Sequence, residues 1–255
     1  MNENPIATLL PDGGFVGIFR TIGCIGDSLS SGEFESQVTP DGPKGYHDLF
    51  EYSWGQYIAR AAGTKVFNFS RGGMTAKWYH DFAEENHFWD DDCVCQCYIL
   101  ALGVNDSHQI PLGSVKDIDL ENYENNADTF AGHYAKIIQR LLKKQPKARF
   151  FLMTVPRSES NPERDPFYDG HQKLLYDLAE LFPFTYVLDF RKYAPVYDAE
   201  FRRKYFLGGH MSPMGYILTA KMVMTYMDAI IQEKPEDFAQ VGFIGTEFHN
   251  CTAKW

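Results

Sequence analysis

Five apolar runs punctuate the chain, at 15–25, 65–69, 97–103, 149–155 and 185–190, and they read as β-strands. The middle ones are near-continuous in apolar residues, as expected of parallel strands buried on both faces. Between them lie segments with helical spacing, at 49–62, 122–144, 170–182 and 213–232. The second ends in Lys143-Lys144, which suits the negative end of a helix dipole. Pro213 stands in the first turn of the last, where a missing N–H costs nothing. Strands alternating with helices predict a layered α/β fold with a mainly parallel sheet and right-handed crossovers.

Three further stretches, 30–47, 104–120 and 156–169, are too long and polar to be simple turns, and each follows a strand. Open α/β sheets bind ligands beyond the carboxyl ends of their strands, so these loops are candidate walls of a site. No repeat and no shift of composition marks a boundary, which points to one domain over 1–255. Its last part, 235–255, is a tail without a periodicity that predicts how it packs.

Composition narrows the picture. The 255 residues are 44% hydrophobic and 23% charged, ordinary globular usage for a chain long enough to bury a core without disulfides or metals. The net charge of −10 argues against a nucleic-acid partner, which needs a basic surface to replace counterions, and against docking on anionic membranes. No apolar stretch approaches the ~20 residues that span a bilayer. The opening MNENPIATLLPDGG lacks the basic and apolar regions of a signal peptide, so a cytoplasmic protein is expected, although a chain with its leader removed would look the same. Cys93, Cys95 and Cys97 form C-x-C-x-C. Zinc sites space their ligands differently and add a second pair, so the triplet reads instead as alternate positions on one face of a strand, with cysteine as a small hydrophobe. His80, His87 and His171 show no metal-ligand spacing either, and no metal or organic cofactor is expected.

The chemistry gathers where strands end. The first runs into Gly26-Asp27-Ser28-Leu29. A serine there lies at a surface crevice near backbone N–H groups, but it needs a base and a place for oxyanion charge to act as a nucleophile. From this tetrapeptide alone the helix N-cap is the favoured reading. After the second strand comes Asn68-Phe69-Ser70-Arg71-Gly72-Gly73, whose paired glycines let backbone N–H groups approach a ligand, or simply make a turn. After the third comes Gly103-Val104-Asn105-Asp106, whose asparagine can donate to negative charge or shape an Asx-turn. Near the C-terminus, Gly208-Gly209-His210-Met211-Ser212-Pro213 puts a histidine on a loop just before a helix.

In this order, each block after its strand, these segments resemble the SGNH (GDSL-type) hydrolase family from about Thr21 to the helix after His210. The resemblance implies a flavodoxin-like three-layer α/β/α fold with a five-stranded, mainly parallel sheet. It implies Ser28 as nucleophile, His210 as base, and an oxyanion hole made by the Ser28 N–H, the Gly73 N–H and the Asn105 side chain. Gly73 is taken over Gly72 because the family glycine usually lies five residues after the asparagine that matches Asn68. The G-x-S-x-G elbow of α/β-hydrolases is absent.

One position departs from the family. The usual aspartate three residues before the histidine is Leu207 here. Three outcomes stay open: a backbone carbonyl holds His210, an acid from elsewhere substitutes (Asp189 and Glu200 are the guesses), or the site is weak or dead. Asp27 reads as structural, while Arg71, Trp78, Tyr79 and His108 are possible pocket walls. The expected function is hydrolysis of a small acyl ester, such as an acetyl ester on a carbohydrate, through a Ser-His acyl-enzyme. Acyl transfer by the same residues and a non-catalytic ligand-binding module are the alternatives.

Overall fold

The computed structural model describes residues 4–255. In chain order its first half contains β1 (Thr21–Gly26), α1 (Ser28–Ser31), β2 (Glu33–Gln37), β3 (Lys44–Asp48), α2 (Trp54–Ala62), β4 (Lys65–Asn68), α3 (Tyr79–Glu85) and β5 (Cys97–Ala101). There follow α4 (Phe130–Lys144), β6 (Arg149–Met153), α5 (Asp165–Leu181), β7 (Thr185–Leu188), α6 (Phe190–Tyr193), α7 (Ala199–Tyr205), β8 (Phe206–Leu207), β9 (His210–Met211), α8 (Pro213–Glu233) and α9 (Pro235–Phe238).

Five strands form one parallel sheet in the order β4-β1-β5-β6-β7. The strands are short and buried on both faces, so side chains alternate between two cores. Ile22, Cys24, Ile99 and Phe151 face a core completed by Trp54 and Ile58 of α2 and by Val223 and Met227 of α8. Ile25, Tyr98, Leu100 and Phe150 face the other, completed by Tyr79 of α3, Ile138 of α4 and Leu175 of α5. The result is the three-layer α/β/α arrangement, with the order reversing between β1 and β5. Such a switch point opens a crevice at the carboxyl ends of the strands.

Several boundaries differ from the sequence expectation, each for a local reason. The run 15–25 is strand only from Thr21. Gly14 has φ +50° and the Phe15 N–H donates to Asp228 Oδ1 at 2.7 Å, which bends Gly14–Ile18 into a 3-10 turn. Helix α4 begins at Phe130, where Thr129 Oγ1 accepts the Gly132 N–H, and the expected start near 122 is a separate short turn capped by Asn122. Helix α5 begins earlier than expected, at Asp165, with a proline in its first turn. The stretch 30–47 is largely the antiparallel hairpin β2–β3, not an open loop.

The cysteine triplet is not one strand face. Cys93 ends a 3-10 turn, Cys97 opens β5, and Cys95 and Cys97 enter different cores. Burial pushes the Cys95 thiol up to about 12, which keeps it a neutral hydrophobe. The tail packs at the amino-terminal end of the sheet. Phe238, Val241 and Ile244 are buried, and Arg20 and Gln96 donate to the Gly242, Val241 and Ile244 carbonyls. Among the described residues no helix is long and apolar enough to cross a membrane.

Candidate active site

The Ser28 turn is set by its neighbours. Asp27, at the end of β1, caps α1 by accepting the Leu29 N–H on Oδ1 at 3.0 Å, so Ser28 is the first helical residue and not the cap. Gly32 closes the turn in the left-handed region at φ +81°. Ser28 itself stays half-buried at the crevice. Burial raises the Asp27 carboxyl to about 7, and the nearby Asp106 and Glu33 carboxylates add to that rise. Its second oxygen, Oδ2, has no partner among the described residues.

The glycine block is tied to the end of β1. Asn68 Oδ1 accepts the Ser70 N–H at 3.0 Å, Ser70 Oγ donates to the Cys24 carbonyl at 2.9 Å, and the Arg71 N–H donates to the Gly26 carbonyl at 3.3 Å. The Met74 N–H returns to the Arg71 carbonyl at 3.2 Å and closes a turn with Gly73 at φ +74°. That positive φ is the physical reason for glycine there. The third block is stitched to the second. Asn105 Nδ2 donates to the Met74 carbonyl at 3.1 Å, and buried Asp106 accepts the Ala76 N–H at 2.9 Å. Gly103, at φ +131°, is held on His171, whose Nε2 meets the Leu102 carbonyl at 3.1 Å. Burial takes His171 down to about 4, so it is a neutral support for this loop.

Hydrogen bonds thus tie the three sequence blocks to one another beyond the carboxyl ends of β1, β4 and β5. Among the described residues neither the Ser28 N–H nor the Gly73 N–H donates to a protein acceptor, and Asn105 uses its amide nitrogen in a single bond to Met74. Unmet donors on loops beside a serine are what an oxyanion hole requires.

The histidine arrives by another route. Phe206–Leu207 and His210–Met211 form a minimal hairpin around Gly208-Gly209, with Leu207 directly across from His210 and its side chain exposed. Strand β9 packs against α1. Ser212 caps α8 by accepting the Gly215 N–H, and buried Tyr216 then donates its hydroxyl to the Glu33 carbonyl at 2.7 Å and, at 3.4 Å, to the Ser28 carbonyl. No hydrogen bond joins Ser28 Oγ to His210 among the described residues. His210 Nε2 instead meets Glu33 Oε1 at 2.9 Å, and Nδ1 lies 3.7 Å from Glu35 Oε2. Tyr46 of β3 packs edge-on against the imidazole, ring centroids 5.6 Å apart.

The two acids guessed for this position are occupied elsewhere. Buried Asp189 accepts from Gln172, Tyr176 and Thr154, and Glu200 pairs with Lys204 on its own helix. Glu33 and Glu35 went unnoticed because 30–47 read as a loop. An E-x-E pair in a strand projects both side chains to one face, and that was the signal available. Among the candidate pocket walls, Tyr79 is core, His108 is exposed, and the Arg71 guanidinium lies over Trp78, 5.6 Å from the ring centre.

Beside the Ser28 turn opens a cleft walled by Leu29, Val104, Pro156, Tyr168, Tyr197 and Phe206, with Asn161, Arg164 and Arg202 at its polar side. It adjoins a deeper apolar cavity between Leu102, Met153, Phe190 and Met211.

Comparison with known proteins gives the family and the fold. Residues 24–218 match the model of the GDSL-like Lipase/Acylhydrolase family. No curated relative matches the chain. Among solved structures, a family two carbohydrate esterase from Clostridium thermocellum in complex with cellohexaose is similar at TM-score 0.55 and 16% identity, over 86% of this chain and 65% of that one. A Corynascus thermopiles carbohydrate esterase family 2 enzyme with a carbohydrate binding domain is similar at 0.58 and 16%, over 84% and 67%. A Clostridium thermocellum family 3 carbohydrate esterase is similar at 0.54 and 13%, over 84% and 97%. At these identities the likeness is one of fold.

Proposed function

Since the chain belongs to the GDSL-like lipase/acylhydrolase family, we propose that it is a serine esterase that removes a small acyl group, such as acetyl, from a carbohydrate. The observation that carries this reading is that hydrogen bonds tie the Ser28, Gly73 and Asn105 loops to one another, with two backbone N–H groups unmet among the described residues.

In the proposed reaction, Ser28 Oγ attacks the ester carbonyl carbon and gives its proton to His210. The carbonyl oxygen gains negative charge and is held by the Ser28 and Gly73 N–H groups and the Asn105 amide. His210 then protonates the departing alcohol, leaving an acyl-serine. Water, losing a proton to His210, attacks that acyl group. The acid leaves and Ser28 recovers its proton. A base contributes about 10²–10⁴-fold and each oxyanion donor about 10²–10³-fold. The cleft supports a sugar as the alcohol: tyrosine and phenylalanine faces line it, with asparagine and arginine donors at the edge. The similar Clostridium thermocellum enzyme solved with cellohexaose supports the same class.

Hydrolysis of p-nitrophenyl acetate by wild type and by Ser28→Ala, with folding followed by circular dichroism, tests this reading. Wild-type turnover that vanishes in the folded variant is expected. Equal background rates, together with no labelling of wild type by a fluorophosphonate, would overturn it in favour of a ligand-binding module on the same fold.

A further inference from the structure

We propose that strand β2 supplies the acid that position 207 lacks, with Glu35 orienting His210 through Nδ1 and Glu33 holding Nε2 until it serves Ser28. This rests on the serine-esterase reading.

The geometry comes from strand periodicity. Glu33 and Glu35 lie two apart on β2 and project to one face, so the imidazole is bracketed by a carboxylate near each ring nitrogen. The two acids are anchored differently. Glu35 accepts the Gly209 N–H at 2.8 Å and the Lys44 ammonium at 2.6 Å, and its side chain is buried. The Gly208-Gly209 turn folds over it so closely that a Cβ at either glycine would strike its carboxylate. Glu35 is thus a fixed anion tied to the backbone immediately before His210. That is the part an acid at position 207 would play, since the acid's task is to fix the tautomer and stabilise the imidazolium.

Glu33 is set otherwise. Among the described residues its carboxylate takes no bond except that from His210, and it lies against Gly72, next to the Gly73 N–H. Glu33 and Ser28 therefore compete for Nε2, which explains why no Ser28–His210 bond forms in the free protein. In the proposed step the Nε2 proton passes to the Glu33 carboxylate, and the neutral Glu33 side chain turns off Nε2. Nδ1 has no hydrogen-bond partner among the described residues and keeps its proton through the charge of Glu35, 3.7 Å away. The freed Nε2 lone pair then accepts the Ser28 proton. The groups facing this pair are Asp27 beside the turn, Lys44, Tyr46 and Asp48 of β3, and Arg202 of α7, which donates to the Gly208 carbonyl at 3.2 Å.

The test is a pair of charge-neutralising variants. Glu35→Gln is expected to lower kcat by about 10²–10⁴-fold with KM little changed, as when a triad acid loses its charge. Lys44→Met breaks the same ion pair but leaves the carboxylate, and is expected to cost less than about tenfold, which separates the acid from hairpin stability. Glu33→Gln removes the competitor for Nε2 and is expected to raise kcat/KM, because Ser28 then meets a free base. A folded Glu35→Gln that keeps wild-type kcat overturns the proposal, as does a folded Glu33→Gln variant whose kcat/KM is unchanged or lower.

A readout free of turnover separates this proposal from the esterase reading. In ¹⁵N-histidine NMR, with the His210 signals identified from a His210→Gln spectrum, the neutral ring of Glu33→Gln, freed of the carboxylate at Nε2, carries its proton on Nδ1, and the Glu33→Gln/Glu35→Gln pair loses that preference. An Nε2–H tautomer in Glu33→Gln overturns the Glu35 assignment. A Glu33→Gln variant that shows Nδ1–H, beside a wild type that neither hydrolyses esters nor labels with a fluorophosphonate, leaves the pairing standing and sinks only the esterase reading.

Discussion

The serine side of the crevice is tied to main-chain carbonyls near the strand ends, whereas the histidine side is held chiefly by carboxylate and aromatic side chains. Ser28, Gly73 and Asn105 each lie just after a strand, and the Ser70 hydroxyl, the Arg71 N–H and the Asn105 amide donate to the Cys24, Gly26 and Met74 carbonyls to fix the loops that carry them. His210 sits on a hairpin with two residues per strand, and its place depends on Glu33, Glu35, Tyr46 and Tyr216. Bonds from neutral groups to main-chain carbonyls hold a site the same way at any pH. Anchoring by carboxylates lets its charge state, and hence its readiness, follow a few substitutions.

After the losses expected for Ser28→Ala and Glu35→Gln, the largest effect falls on the serine side. Asn105→Ala removes a proposed oxyanion donor and should lower kcat by about 10²–10³-fold. The lost bond to Met74 should cost only about 0.5–1.5 kcal/mol of stability, read from the urea midpoint. If stability collapsed along with activity, Asn105 would be a loop staple first and the two sides would be less different than drawn.

The next effect compares the carboxyls of the two sides. Asp27 sits at about 7 against an ordinary 3.8, because burial disfavours its charge. Its stabilising contribution is therefore complete below pH ~3.8 and fades as pH rises toward ~7, at a slope of at most about 1.4 kcal/mol per pH unit. Asp27→Asn keeps an acceptor for the Leu29 N–H and removes this loss, so its stability advantage over wild type should grow between pH 5 and pH 8 in urea melts. Glu35 has the opposite sign. Its bond to Lys44 holds it below the usual carboxylate range, so its contribution is present above pH ~4.5 and fades as pH falls. An Asp27→Asn advantage that did not change with pH would show a carboxyl better solvated than its burial implies.

The smallest effect is expected at position 207. Leu207 is exposed and stands across from His210, so Leu207→Asp should leave kcat/KM intact or raise it. A collapse of kcat in a folded variant would mean that the new charge disturbs an acid already in place.

What the sequence showed follows the same division. The sheet and the Ser28, Gly73 and Asn105 blocks were legible because each depends on residues close in the chain: buried strand runs, a turn that needs φ > 0, and a donor at a strand end. The end of strand 15–25 was misjudged because the Phe15 N–H is claimed by Asp228, more than two hundred residues away. Glu33 and Glu35 escaped for a similar reason. The bond from Glu35 to Gly209 spans 174 positions, and nothing local distinguishes that glutamate from one on a solvated loop. The tail escaped because its few buried residues, Phe238, Val241 and Ile244, are spaced by the contour of the sheet end and not by a helix or strand period.

The hairpin of β2 and β3 is closed at its root by a main-chain bond from the Leu49 N–H to the Gly32 carbonyl at 3.0 Å, while Val38 near its tip is almost fully in solvent. Chain can therefore be added between Thr39 and Gly42 without shifting the register that places Glu33 and Glu35. The two functions of the segment are physically separable, the base fixed for chemistry and the tip open to variation. A graft at the tip would hang a new recognition surface on a lever whose root is the histidine's own support.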